Sequence, residues 1–139
     1  MPAIRFFEEG VSYKLNGKNK VKQWIKDTIA AEGYKLGQLT YIFCLDPYLL
    51  QINRQYLEHD TYTDIITFDN SETDKVITGD IFISIDRIHE NAIKFNESPV
   101  DELHRVIIHG ALHLLGYKDK TAAARKKMTE KEDYYLAKR

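Results

Sequence analysis

From Pro99 to Leu115 the chain is too apolar to lie on a surface, yet one line along it is too polar to be plain core. Leu103, Val106, Ile107, Ile108, Ala111, Leu112, Leu114 and Leu115 occupy almost every side of a helix drawn through this stretch. A helix that is apolar nearly all round is buried. Glu102, Arg105, His109 and His113 follow one another at i, i+3, i+7 and i+11, which places them on one line of that helix. Polar side chains do not enter an interior without partners, so the line reads as the wall of a site. The boundaries are marked as well. Ser98 is the cap, Pro99 takes the first helical position, and Asp101 faces the positive helix end. Gly116 stands where a left-handed stop belongs. The rest of the chain must therefore wrap this helix from several sides.

The remaining pattern supplies strands and helices in alternation. Ile4–Phe7 reads as a strand. Val21, Trp24, Ile25, Thr28 and Ile29 keep helical spacing, with Gly33 as the stop, and residues 38–45 read as a second strand. Asp46-Pro47 looks like a cap and first position for a helix carrying Leu49, Leu50, Ile52, Tyr56 and Leu57. Ile65–Phe68 is rich in β-formers. Residues 70–75 form a polar loop, and Ile81, Ile83 and Ile85 alternate as in a strand. Ile88, Ala92 and Phe95 suggest a short helix ending near Asn96. A last helix starts near Thr121 and buries Met128, Tyr135 and Leu136. Strands separated by helices favour parallel pairing, and the one short strand-to-strand link favours an antiparallel pair. The expectation is an α+β fold: one domain over 1–139, a mixed sheet of about four strands, about five helices, and the histidine helix at the centre.

Composition agrees with one globular domain. A chain of 139 residues, 43% hydrophobic and 29% charged, buries roughly two thirds of its unfolded surface. The single Cys44 forbids an internal disulfide and sits in an apolar run, where it packs as a small hydrophobe. No apolar stretch reaches the roughly 18 residues of a membrane span, and Met1–Gly10 has no signal pattern. The expected setting is the cytoplasm, with no membrane partner. A net charge of −1 argues against a sequence-blind electrostatic nucleic-acid binder, and DNA is not expected as a partner. It leaves room for a local basic patch, and Lys118, Lys120, Arg125, Lys126 and Lys127 cluster beyond the histidines.

His109 and His113 lie four residues apart and so point the same way. A turn at Gly116 can carry Asp119 back toward them. Two histidines and a carboxylate are the ligand count of a catalytic zinc with an open position. Pairs of histidines at this spacing also occur without metal; here the buried apolar context favours the ion. In zinc proteases of the H-E-x-x-H type a glutamate follows the first histidine as general base. Here that position is Gly110, which can abstract no proton.

The run His109-Gly110-x-Leu112-His113-Leu114-x-Gly116-Tyr117 resembles the YbeY family of metal-dependent endoribonucleases, whose pattern reads H-G-x-L-H-L-x-G-Y-D-H. Asn53-Arg54-Gln55-Tyr56, Asp60, Thr63-Asp64-Ile65-Ile66-Thr67-Phe68, Gly79-Asp80-Ile81 and Glu102 resemble the family's other blocks in order. Two departures stand out. Without a gap, Asp119 takes the place of the family's third histidine and Lys118 that of its Asp. With Lys118 as an insertion, Asp119 matches the Asp and Lys120 replaces the histidine, leaving two ligands. The ungapped reading is preferred, because three ligands hold a divalent ion better and Asp is an acceptable zinc ligand. Leu57 stands where many members carry an Arg near the RNA site; Arg54, Arg105, Lys118 or Lys120 are the substitutes at hand.

The resemblance implies a single-strand-specific, metal-dependent endoribonuclease. Its role would be ribosomal RNA processing at the 3′ end of small-subunit (16S) RNA and ribosome quality control, with ribosomal RNA and the ribosome as partners. The expected cofactor is one zinc ion per chain, other divalent transition metals being possible. The expected ligands are His109, His113 and Asp119. His109, His113 and Arg105 are the expected catalytic residues. Glu102, Asp80, Arg54, Lys118 and Lys120 are candidates for orienting a ligand or contacting RNA. Water and the RNA 2′-OH both stand as nucleophiles. Two other readings are a zinc-protease-like hydrolase and a non-catalytic ribosome-assembly factor with a structural metal. His59 and His89 read as exposed, and His104 lies on another side of the helix from His109.

Overall fold

The computed structural model describes residues 2–57 and 63–139. The elements run β1 (Ala3–Glu8), α1 (Lys18–Ala31), β2 (Lys35–Cys44), α2 (Asp46–Leu57), β3 (Ile65–Asp69), β4 (Val76–Ser84), α3 (Ile85–Lys94), α4 (Pro99–Leu114) and α5 (Ala122–Leu136). The four strands form one sheet in the order β1-β2-β4-β3. β1 pairs parallel with β2 and β2 parallel with β4, each across a helix-containing connection. β3 pairs antiparallel with β4 across the short loop between them. The α+β mixed sheet with five helices expected from the pattern is the architecture found.

Helix α4 is the hub. It touches α1, α3, α5, β3 and β4. Leu103, Ile107, Ile108, Ala111 and Leu112 are at most 1% exposed, and removing such side chains from water stabilises by about 1.5–3 kcal/mol for each of the large ones. Ser98 caps the helix, its Oγ accepting from Asp101 N at 3.0 Å, with Pro99 at the start. Tyr41 on β2 donates its hydroxyl to Ile107 O at 2.9 Å and fixes how the helix lies on the sheet. Close approach needs small residues. A Cβ on Gly110 would meet Ile65 Cδ1 at 2.9 Å and Ile81 Cδ1 at 3.0 Å, and one on Gly79 would meet the Phe68 carbonyl at 2.5 Å. The main core lies on the α4 side of the sheet. A smaller cluster of Cys44, Leu49, Ile52 and Ile66 lies under α2.

Several boundaries depart from the sequence pattern. β2 begins at Lys35, three residues early. Ile85 is the first residue of α3, because Ser84 caps that helix with its Oγ accepting from Arg87 N. Asp46 lies inside α2, and its carboxylate accepts from the Ser84 hydroxyl at 2.6 Å and pairs with Arg87 at 3.1 Å. Phe95 is 57% exposed and outside the core. His59 and Asp60 lie outside the described residues. Among the described residues no helix is long and apolar enough to cross a membrane.

Candidate metal centre

The polar line of α4 opens into a cleft of about 340 Å³ lined by Thr63, Asp64, Ile65, Thr67, Arg105, Val106, His109, His113, Asp119 and Glu132. Its walls come from β3 with the residues just before it, from α4, from the turn after α4, and from α5. One turn of α4 brings His109 and His113 edge to face, with ring centroids 4.6 Å apart. Gly116, with φ of 103°, reverses the chain after Leu115. Asp119 then returns to the helix. Its Oδ2 lies 3.1 Å from His113 Nε2 and 3.4 Å from His109 Nε2. The three side chains offer ligand atoms all within 4.8 Å of one another. Two imidazole nitrogens and a carboxylate oxygen facing one point are a donor set that suits a divalent transition metal.

The turn that delivers Asp119 is tied down from a distance. Glu32, at the end of α1, accepts from the Tyr117 hydroxyl at 2.6 Å, from the Tyr135 hydroxyl, and from Lys131 Nζ at 3.3 Å. Burial works to raise the Glu32 pKa, but these three donors outweigh it and hold the carboxyl below its usual range. One carboxylate thus clamps the turn that carries Asp119 and the helix that carries Glu132. Trp24 adds a second tie, its indole N–H donating to Tyr135 O at 2.7 Å.

Behind the three converging side chains stands Glu132, only 6% exposed. Its Oε2 lies 2.6 Å from His109 Nδ1, and its Oε1 accepts from Arg105 Nη1 at 2.8 Å. Arg105 Nη2 meets Asp133 Oδ1 at 2.6 Å. Burial pulls His109 toward its neutral form, but Glu132, with Asp64 and Asp119 behind it, raises the ring's pKa above the usual imidazole value. Arg105 is likewise held in its charged form: burial opposes that charge, but Asp133 and Glu132 outweigh it. Asp64 faces the same cleft, and burial pushes its carboxyl above the usual carboxylate range.

The other candidates fall elsewhere. Glu102 is buried in the neighbouring groove beside Arg105, with its pKa raised by burial and by Asp64. The carboxylate at His109 is Glu132, because α5 and not α4 itself covers that ring. Asp80 accepts from Asn70 at 3.1 Å and does not line the cleft. Arg54 and Leu57 are exposed on α2, away from the cleft lining. Lys118 and Lys120 are exposed on the turn beside Asp119. His104 packs against Trp24 at 5.7 Å on another side of α4, and His89 is exposed. Gly110 explains its own lack of a side chain: the position faces Ile65 and Ile81 of the sheet. A glutamate there would be driven into the core, so the base of the H-E-x-x-H proteases has no room.

Asp64 and Glu132 belong to the centre although neither is among the site residues expected from the sequence. Asp64 lies within the Thr63–Phe68 block but carries no spacing signal of its own. Glu132 falls between Met128 and Tyr135, at i+4 and i+7 on the buried face of α5. A charge on a buried face was the available sign, hidden by the many charges around it.

Comparison with known proteins points to one family. The family model described as endoribonuclease YbeY matches residues 7–139. A Cytophaga hutchinsonii protein named endoribonuclease YbeY is 52% identical over 134 residues, which is 96% of this chain and 94% of that protein. The Bacteroides thetaiotaomicron protein of the same name is 49% identical, covering 99% of both chains. The solution structure of TM1509 from Thermotoga maritima superposes with a TM-score of 0.67 at 30% identity, over 96% of this chain and 87% of that one.

Proposed function

The chain belongs to the endoribonuclease YbeY family, and from that premise we propose that it is a zinc-dependent endoribonuclease acting on single-stranded ribosomal RNA. The observation that carries this reading is the convergence of His109 Nε2, His113 Nε2 and Asp119 Oδ2 at the floor of an open cleft. His109, His113 and Asp119 would hold a divalent ion, which would supply Lewis acidity toward a phosphoryl oxygen.

The chain's own residues do the rest. Asp119 and the two imidazoles fix the ion's place, while the cleft leaves one side open to a phosphodiester. Asp64, its proton held more firmly by burial, is placed to donate that proton to a leaving oxygen or to take one from a nucleophile. Thr63 and Thr67 line the wall opposite α4 and offer hydroxyls to sugar or phosphate. Lys118 and Lys120, exposed beside Asp119, favour the approach of a phosphate backbone. Arg105 braces the α5 side of the wall through Glu132 and Asp133. A single strand can bend its backbone into this cleft, whereas a duplex presents a stiff, wide cylinder; hence the preference. Ribosomal RNA as substrate, small-subunit 3′-end processing and a cytoplasmic setting are carried over from the family.

The test is cleavage of matched single-stranded and duplex RNA, with and without chelator. Cutting of the single strand alone, lost on chelation and restored by zinc, is the expected result. Equal cutting of both forms, or cutting that survives chelation, overturns the reading.

A further inference from the structure

We propose that Glu132 is the positioning residue of the metal centre, setting which nitrogen of His109 is free to bind, and that Arg105 acts through Glu132 rather than on RNA. The inference deepens the reading above and rests on it for the identity of the ligands.

A carboxylate can only accept. At 2.6 Å from Glu132 Oε2, His109 Nδ1 therefore carries a proton, and in the neutral ring Nε2 presents its lone pair toward Asp119 and His113. A free imidazole in water divides its proton between the two nitrogens, so an untethered His109 spends part of its time with the wrong one blocked. The same hydrogen bond fixes the plane of the ring. It also makes the ring a stronger donor, as carboxylates do behind metal-bound histidines. Glu132 is itself anchored. Arg105 Nη1 holds its other oxygen at 2.8 Å, and Nη2 is committed to Asp133 at 2.6 Å. Two of the guanidinium nitrogens are thus engaged on α5, one on each of two carboxylates, in charge-assisted hydrogen bonds. An arginine used this way supports the cleft wall and does not reach for a phosphate. The line runs Arg105, Glu132, His109, ligand point, with α4 and α5 each contributing alternate members.

The test uses the full chain as Glu132→Gln, Glu132→Ala, Arg105→Met and the Glu132→Ala/Arg105→Met double variant. Zinc affinity is read by competition with a chromophoric chelator. The His109 tautomer is read by long-range nitrogen-15 NMR on metal-free protein at mildly alkaline pH. Wild type is expected in the Nδ1–H form. Glu132→Ala is expected to mix the tautomers and lose zinc affinity about 10–100-fold. Glu132→Gln, whose amide oxygen still accepts from Nδ1–H, restores the tautomer and most of the affinity. Arg105→Met is expected to lose affinity several-fold, and the double variant to bind no worse than Glu132→Ala, since both act on one ring. Should Glu132→Ala fail to fold, the wild-type tautomer alone decides. An Nε2–H ring in wild type overturns the proposal, as does wild-type affinity in a folded Glu132→Ala. An Arg105→Met protein that binds zinc normally yet cuts no RNA at saturating zinc overturns the role given to Arg105. Tight zinc binding with the expected tautomers but no RNA cleavage by wild type would leave this inference standing and remove the endoribonuclease reading.

Discussion

His113→Ala is expected to reduce RNA cleavage to the level of chelator-treated protein while leaving the fold in place. His113 offers one of the three converging donor atoms and contributes nothing to the main core; its side chain is 26% exposed. Alanine is a better helix former than histidine, by a few tenths of a kcal/mol, which offsets part of the lost contact with Asp119. The net change in stability should therefore stay within about 1 kcal/mol, as for substitutions away from the core. The catalytic loss is of another order. Lewis-acid stabilisation is worth several kcal/mol, and each 1.36 kcal/mol is tenfold in rate, so a loss on the order of a thousandfold or more follows. Rate constants and a thermal melt on the same preparation check both halves. A variant that cuts RNA at the wild-type rate shows that the site is not catalytic. A variant that unfolds shows that the ion is partly structural.

Asp119→Ala is expected to weaken metal binding by tenfold or more, a floor set by what the loss of mere supporting contacts costs. Asp119→His is expected to retain both binding and cleavage. The carboxylate sits within 3.4 Å of both Nε2 atoms, so an imidazole grown from the same turn can reach the same point. A carboxylate is a harder and more anionic ligand than an imidazole. It should make coordinated water slightly less acidic than three histidines would, and it should tolerate manganese or cobalt better. Titration of both variants with zinc, cobalt and manganese reads this directly. Wild-type affinity in Asp119→Ala would mean that two histidines suffice and that Lys118 is the inserted residue.

The elements of the fold were legible because each carried its own local chemistry. Ser98-Pro99 and Gly116 bracketed α4, the alternation at Ile81 and Ile83 marked β4, and the short link before it gave the antiparallel pair. The histidine pair was legible because helical spacing alone brings the rings together. Asp119 was legible because a glycine turn leaves few directions for so short a return. Contacts made across long separations were not. Glu132 reaches His109 from 23 residues away and Glu32 reaches Tyr117 from 85, and no periodicity encodes either. Glu102 is a candidate for orienting a ligand, since a metal-bound imidazole needs an acceptor, but it lies in the neighbouring groove, and the ring nitrogen of His109 is met by Glu132 from the neighbouring helix. Ile85 continued the strand alternation, yet the Ser84 cap ended the strand one residue before it.

One ion, held by His109, His113 and Asp119, is expected to carry the cleavage of RNA. This is tested most directly by stripping the protein of metal, returning zinc in steps, and measuring bound zinc per chain and the rate of single-strand cleavage on the same samples. Without metal no cleavage is expected, and the rate should rise in proportion to bound zinc, levelling at one ion per chain. Full cleavage by stripped protein, or binding of zinc to saturation with no rise in rate, would contradict this expectation.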